Sequence, residues 1–175
     1  MIVLSGKSGC GKSALEKVLV NKYGYQNTIS YTTRAIRIND GEIDGVTYHY
    51  ISKEEFLAKI AQGFFAETTF YRNNYYGTAK EDCTNDKVVV VNRDGLRSLR
   101  QNEGIEIHSF YIDMPRRKRL INALVRGDDI DEAYNRSVTD DADFAGMENE
   151  VDFIIKNDGV TYTIEELAQQ ILALL

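Results

Sequence analysis

Apolar positions along the chain alternate between short continuous runs and stretches of helical period. Residues 1–4, Met1-Ile2-Val3-Leu4, form an uninterrupted apolar run that stops at Ser5-Gly6, the pattern of a strand buried on both faces. Over 12–22, Leu15, Val18, Leu19 and Lys22 fall at helical spacing, and Tyr23-Gly24 supplies a C-terminal stop. Residues 28–33 alternate weakly, and short strand-like pieces occupy 46–51. Ser52-Lys53-Glu54-Glu55 then matches a capping box, with Phe56, Leu57, Ile60 and Phe64 on one apolar face and Gly63 near the end.

Further on, the valine run 88–91 predicts a central strand and 107–112 another. A helix over about 116–126 follows Pro115. The acidic stretch 127–143 shows little apolar stripe and reads as mobile or helical, 151–155 is the last strand, and 164–175 a closing amphipathic helix. Strands alternating with helices predict an α/β domain around a largely parallel sheet. Two polar stretches, about 34–80 and 120–146, interrupt the alternation and are candidate flaps over a site at the strand ends.

Composition narrows the function classes. The 175 residues fit one domain, and 43% hydrophobic with 27% charged residues excludes disorder over most of the length. Twenty-one Lys and Arg against 27 Asp and Glu give a net charge of −6, the wrong sign for a nucleic-acid binder, so any bound anion needs a local constellation. Cys10 and Cys83 lack metal-ligand spacing and a disulfide framework, and read as free thiols of a reducing compartment. The four-residue apolar start suits neither a signal peptide nor a membrane anchor, and the expected location is the cytoplasm.

Gly6-Lys7-Ser8-Gly9-Cys10-Gly11-Lys12-Ser13 satisfies the phosphate-loop pattern G-x-x-x-x-G-K-[ST], between a strand and a helix as the pattern requires. Backbone N–H groups of Gly6, Ser8, Gly9, Cys10 and Gly11 can converge on a polyphosphate, Lys12 can neutralise it, and the Ser13 hydroxyl can ligate Mg²⁺. The loop defines a nucleotide site without specifying the reaction.

A second anion site lies in Ser30-Tyr31-Thr32-Thr33-Arg34 with Arg37, two guanidinium forks within four residues. It is followed by Gly41-Glu42-Ile43-Asp44-Gly45-Val46-Thr47-Tyr48, by Phe64-Phe65-Ala66-Glu67 and by Asn74-Tyr75-Tyr76-Gly77-Thr78. In sequence, order and spacing these segments, with the P-loop, resemble the guanylate kinase family, densely over the first eighty residues and loosely thereafter through 153–158.

The resemblance implies a P-loop NTPase three-layer α/β fold with a mainly parallel sheet. It implies a single domain with a core of about 1–33, 81–119 and 147–175, an acceptor-binding flap of about 34–80 and a lid of about 120–146. Arg34, Arg37, Tyr48 and Tyr76 would bind the phosphate of a nucleoside monophosphate, and Ser30 and Thr78 would touch the guanine carbonyl. Glu67 would read guanine, whose ring N–H and exocyclic amine one carboxylate can accept together. The family's D-x-D meets Val91-Asn92-Arg93-Asp94-Gly95 here. Aligning the valines puts Asn92 and Asp94 at the acids, with Asp94 a candidate base contact; aligning Gly95 puts Val90 and Asn92 there. A shorter segment between Thr78 and Lys87 predicts a clipped helix. Arg126 matches a lid arginine, Arg136 lies within a residue of a second, and the place of a third is Asn122, with Arg119 three residues earlier; Arg136 with Asp140, Asp141 and Phe144 resembles small phage-type relatives.

The implied reaction is transfer of the ATP γ-phosphoryl group to GMP or dGMP with Mg²⁺, Lys12, Arg34, Arg126 and Arg136 being catalytic. The expected partners are these nucleotides, with no nucleic acid or membrane, in a monomer or homodimer. The rivals are a kinase of another deoxynucleotide, a guanylate-kinase-like protein-interaction module and a plain P-loop ATPase. His49 and His108 have no charge-relay partner and are assigned no role.

Overall fold

A computed structural model describes residues 1–38, 41–71 and 73–175; Asn39, Asp40 and Arg72, all within the 34–80 stretch, lie outside the described residues. Five strands form one parallel sheet: β1 (Ile2–Ser5), β2 (Gln26–Asn27), β7 (Lys87–Val90), β8 (His108–Asp113) and β9 (Phe153–Lys156), in the order β2-β7-β1-β8-β9. β1 is central, so the loop that follows it opens at the middle of the sheet's C-terminal edge.

The period-2 geometry of β1 divides the core. Ile2 and Leu4 point to one face, where Leu15 and Leu19 of α1 (Lys12–Tyr23) and Leu167 and Ile171 of α6 (Ile164–Leu172) cover them. Met1 and Val3 point to the other, against Leu96 and Leu99 of α3 (Arg93–Leu99) and Met147. A strand flanked by helices on both faces must be apolar throughout, which is why its sequence does not alternate. The result is the expected three-layer α/β fold.

A second sheet is built mostly from the 34–80 stretch. Its strands β3 (Tyr31–Thr32), β4 (His49–Tyr50), β5 (Phe65–Tyr71) and β6 (Asn74–Ala79) lie in the order β4-β3-β6-β5. Of the weak 28–33 strand only Tyr31–Thr32 forms, as β3 of the second sheet, while β2 of the first sheet lies just before that stretch. The β5–β6 hairpin stands where the hydrophobic pattern predicts no strand. Beside it, α2 (Lys53–Ala61) starts at Ser52, whose hydroxyl accepts the Glu55 N–H, and it buries Phe56 while Leu57 and Ile60 stay partly exposed. The clipped segment after Thr78 is one 3₁₀ turn, Lys80–Asp82.

α4 (Arg116–Arg126) has the expected limits, and α5 (Ile130–Asp143) shows that the acidic stretch is helical. Its buried face is Ala133, Ser137 and Asp140, small and polar side chains at helical spacing that produce no apolar stripe. Among the described residues, no helix is long and apolar enough to cross a membrane.

Candidate active site

The loop after β1 is built by glycines where side chains have no room. Gly6 has φ 150°, and a Cβ there would stand 2.7 Å from the Ile112 carbonyl oxygen. Gly11, at φ 100°, is the residue before the first turn of α1, so the loop's amides and the helix N-terminus face one spot. Lys12 folds back and donates to the carbonyls of Gly6 at 2.6 Å and Lys7 at 3.2 Å. These carbonyls hold an ammonium that an incoming phosphate can recruit. Ser13 is exposed on the first helical turn. Cys10 is fully buried and free, and its carbonyl accepts from Asn157 Nδ2 at 3.0 Å. Asn157, 2% exposed after β9, thus fixes the loop from below.

A cavity of about 240 Å³ runs from this loop to the second sheet, lined by Gly6, Ser8 and Lys12 at one end and by Ser30, Tyr48, Glu67 and Tyr76 at the other. Glu67 enters it through a register shift between Phe65 and Glu67, an irregularity that re-aims the following side chain. Opposite it on β6, Thr78 donates to Glu67 Oε1 at 2.8 Å, and the Ser30 and Thr78 hydroxyls lie 3.3 Å apart. Only 6% of Glu67 is exposed, and burial pushes its carboxyl up to about 7 against the hydroxyls of Thr78 and Thr69. Glu16, on α1, is likewise pushed up to about 7 by burial, with Lys17 and Lys12 opposing the shift.

At the flap, Arg34 forms a two-pronged pair with Glu42, Nη1 to Oε2 at 3.0 Å and Nη2 to Oε1 at 2.6 Å. The Arg37 backbone N–H donates to the same carboxylate at 2.8 Å. These hydrogen bonds, the one from Arg34 foremost, hold Glu42 down at about 2. Arg34 also lies 5.6 Å from the centroid of the Tyr48 ring, which is 6.1 Å from that of Tyr76. A guanidinium set against the Tyr48 and Tyr50 rings and paired with a planar oxyanion has the chemistry to hold a phosphate in place of Glu42. The charge of Arg37 is among the causes that lower the pKa of Asp128, after those of Arg126 and Arg136.

Val90 and Asn92 line the cavity, whereas Asp94 on α3 is absent from its lining, with its side chain 77% exposed and 4.0 Å from Arg97. Asp94 therefore is not placed to contact a base: Asn92 caps α3, accepting from Gly95 N–H at 2.9 Å, so the next residues turn outward on the helix. The lid arginines are also apart from the main cavity. Arg126 donates to Asp128, with Nε to Oδ1 at 2.7 Å, and Arg136 reaches Asp128 at 3.3 Å and Glu132 at 2.5 Å. His49 stacks on Tyr31 at 4.5 Å, and His108 faces Glu106 at 3.5 Å.

A phosphate loop on the central strand of a parallel sheet, facing a second anion site across one cleft, defines a P-loop kinase. The family model described as guanylate kinase matches residues 1–174. Guanylate kinase of Wolinella succinogenes is 38% identical over 90% of this chain and 76% of its own length, and that of Helicobacter hepaticus 32% over 95% and 86%. Among solved structures, guanylate kinase from Anaplasma phagocytophilum superposes with a TM-score of 0.71 at 22% identity, covering 99% of this chain and 82% of that one. Shikimate kinase from Bacteroides thetaiotaomicron shares the fold more distantly, with a TM-score of 0.56 at 13% identity over 99% and 96% of the two chains. The chain belongs to the guanylate kinase family.

Proposed function

We propose that this protein transfers the γ-phosphoryl group of ATP to the phosphate of GMP or dGMP. The observation that carries this reading is the single cavity shared by Lys12 and Ser8 at one end and by Glu67, Tyr48 and Tyr76 at the other. ATP on the loop would present its terminal phosphate to Lys12. The acceptor phosphate would take the place of the Glu42 carboxylate at Arg34, with hydroxyl donors from Tyr48 and Tyr76 and charge from Arg37. Catalysis of this kind is positioning and charge neutralisation, because the acceptor oxygen needs no base once held in line.

Guanine would sit against Glu67. An ionised carboxylate accepts from the ring N–H and the exocyclic amine together, and the Ser30 and Thr78 hydroxyls can donate to the carbonyl oxygen. Mg²⁺ fits the donor set in a limited way: the exposed Ser13 hydroxyl is a hard oxygen at the right end of the loop. Among the described residues no cluster of three His, Cys, Asp or Glu could form an all-protein cage. Such an ion would be held by Ser13, phosphate oxygens and water, and would supply charge to the transferring group. Arg126 and Arg136 would serve the same charge only after leaving Asp128, which makes lid closure part of the cycle.

Kinetics of two variants test the division of the cleft. Lys12→Ala lowers kcat by at least about 10²-fold, the cost of deleting a preorganised electrostatic contact. Arg34→Ala raises KM for GMP and leaves KM for ATP nearly unchanged. A folded Lys12→Ala protein with near-normal turnover contradicts the kinase reading, and an Arg34→Ala protein that loses ATP instead of GMP reverses the two sites.

A further inference from the structure

Behind the phosphate loop lies a charged cluster that neither the loop motif nor the acceptor set explains. Arg119 of α4 is 3% exposed. Its backbone packs on Gly9, where a Cβ would stand 3.0 Å from the Arg119 carbonyl carbon, and its Nε donates to the Met114 carbonyl at 3.1 Å. The guanidinium is therefore fixed against the loop. Its Nη1 is buried and makes no hydrogen bond to the described residues. The carboxylates facing it stand too far for one: Asp140 Oδ2 is 3.8 Å from Nη1 and Asp141 Oδ1 3.8 Å from Nη2.

Asp140 is committed elsewhere. It is 2% exposed, and Oδ2 accepts the backbone N–H of Ser8 at 2.5 Å. That amide belongs to the loop whose N–H groups are arranged for phosphate oxygens, so the carboxylate occupies a phosphate-oxygen position. Ser8 also lines a small second cavity, about 10 Å³, with Arg119 and Arg136. Asp141 is held separately by Lys7 at 2.6 Å and Arg116 at 3.6 Å. A buried guanidinium with an unmade donor, beside an amide covered by a carboxylate, is satisfied better by a tetrahedral oxyanion, which offers several acceptors and more charge.

We propose that Arg119 is a further catalytic residue of the donor site, contacting the donor polyphosphate once that group displaces Asp140 from the Ser8 amide. The proposal rests on the assignment of the P-loop as the donor site. Asp140 holds the cation in readiness while the site lacks nucleotide, and its release frees the C-terminal turn of α5. Nucleotide binding is thereby tied to movement of the lid helix.

Calorimetric titration of AMP-PNP with Mg²⁺ into wild type, Arg119→Lys and Asp140→Asn tests this, with steady-state kinetics on each. Wild-type binding is checked first; if wild type does not bind AMP-PNP, the donor-site assignment fails, and this inference with it. Given wild-type binding, Arg119→Lys weakens AMP-PNP by at least about fivefold and lowers kcat, with KM for GMP unchanged, because a lysine cannot reproduce the fork. Asp140→Asn tightens AMP-PNP by at least about threefold, since it removes a competing charge from the amide. A purely structural ion pair gives no tightening. Smaller changes than these in either variant, or weaker binding by Asp140→Asn, overturn the proposal. Should Arg119→Lys fail to fold, Asp140→Asn decides by the same criterion.

Discussion

On the proposed reading, Glu67 would couple the cost of burying a charge to recognition of the base. Its carboxyl, pushed from an ordinary 4.5 to about 7 by burial, is largely protonated in the empty site below neutrality, yet only the ionised form accepts two donors. KM for GMP therefore falls as the pH rises from 6 to 8, and this dependence disappears in Glu67→Gln, whose kcat/KM for GMP drops about ten- to a hundredfold. Stability moves the opposite way. A carboxyl with a raised folded pKa binds more protons in the fold than in the unfolded chain, so its contribution is lost as pH rises from 4.5 to about 7. Glu67→Gln gains thermal stability over wild type at pH 8 and gains less at pH 5; equal gains at both pH values contradict the buried-carboxyl account. Glu67, Arg34, Tyr48 and Tyr76 were legible in the sequence because they stand in motifs of fixed order. The burial of Arg119 and Asp140 was not: in a chain of 48 acidic and basic residues a charge reads as solvent-facing, and these two are buried by the meeting of α4, α5 and the loop.

Elements with a strong hydrophobic period were the readable ones. α1, α4, α6 and the valine strand appear close to where the pattern puts them. The β5–β6 hairpin serves both a cavity and a core: Glu67, Thr69, Tyr71 and Tyr76 line the cavity while Phe65 and Tyr75 stack on Phe56, so polar residues and rings stand at inward positions and no clean apolar–polar alternation results. α5 was left between mobile and helical for the same reason, its packed face being Ala133, Ser137 and Asp140. α3 was missed because its start depends on one side chain. Asn92 caps it through Gly95 N–H and also accepts the Thr69 hydroxyl at 3.2 Å, joining the helix to β5. Asn92→Ala accordingly lowers stability by about 1 kcal/mol in urea denaturation, the usual worth of an N-cap, and Asn92→Asp, which retains the cap, loses less. Equal losses in the two variants would show that the cap is not what Asn92 contributes.

At the scale of the whole molecule, a parallel sheet supplies a rigid floor and the pieces that line the cavity are mounted around its C-terminal edge. The loop after β1, the second sheet and α5 come from distant parts of the chain, yet Lys12, Glu67, Tyr76 and Asp140 line one cavity. The fold class was legible from alternation alone, because a β-loop-α unit around a phosphate loop leaves few topologies open. The arrangement of the empty site was not, since it depends on which anion each cation holds: Glu42 at Arg34, Asp128 at Arg136, and Asp140 beside Arg119. On the proposed reading, substrate phosphates would take over these cations and binding would be an exchange of partners. On the same reading, the exchange ends in phosphoryl transfer to a guanine nucleotide. A coupled ADP-release assay on the wild-type protein, run with each of the eight common nucleoside and deoxynucleoside monophosphates, tests it most directly. GMP or dGMP gives the highest kcat/KM, with AMP and the pyrimidine nucleotides at least about tenfold lower; a preference for an adenine or pyrimidine nucleotide, or ADP release that needs no acceptor, contradicts the account.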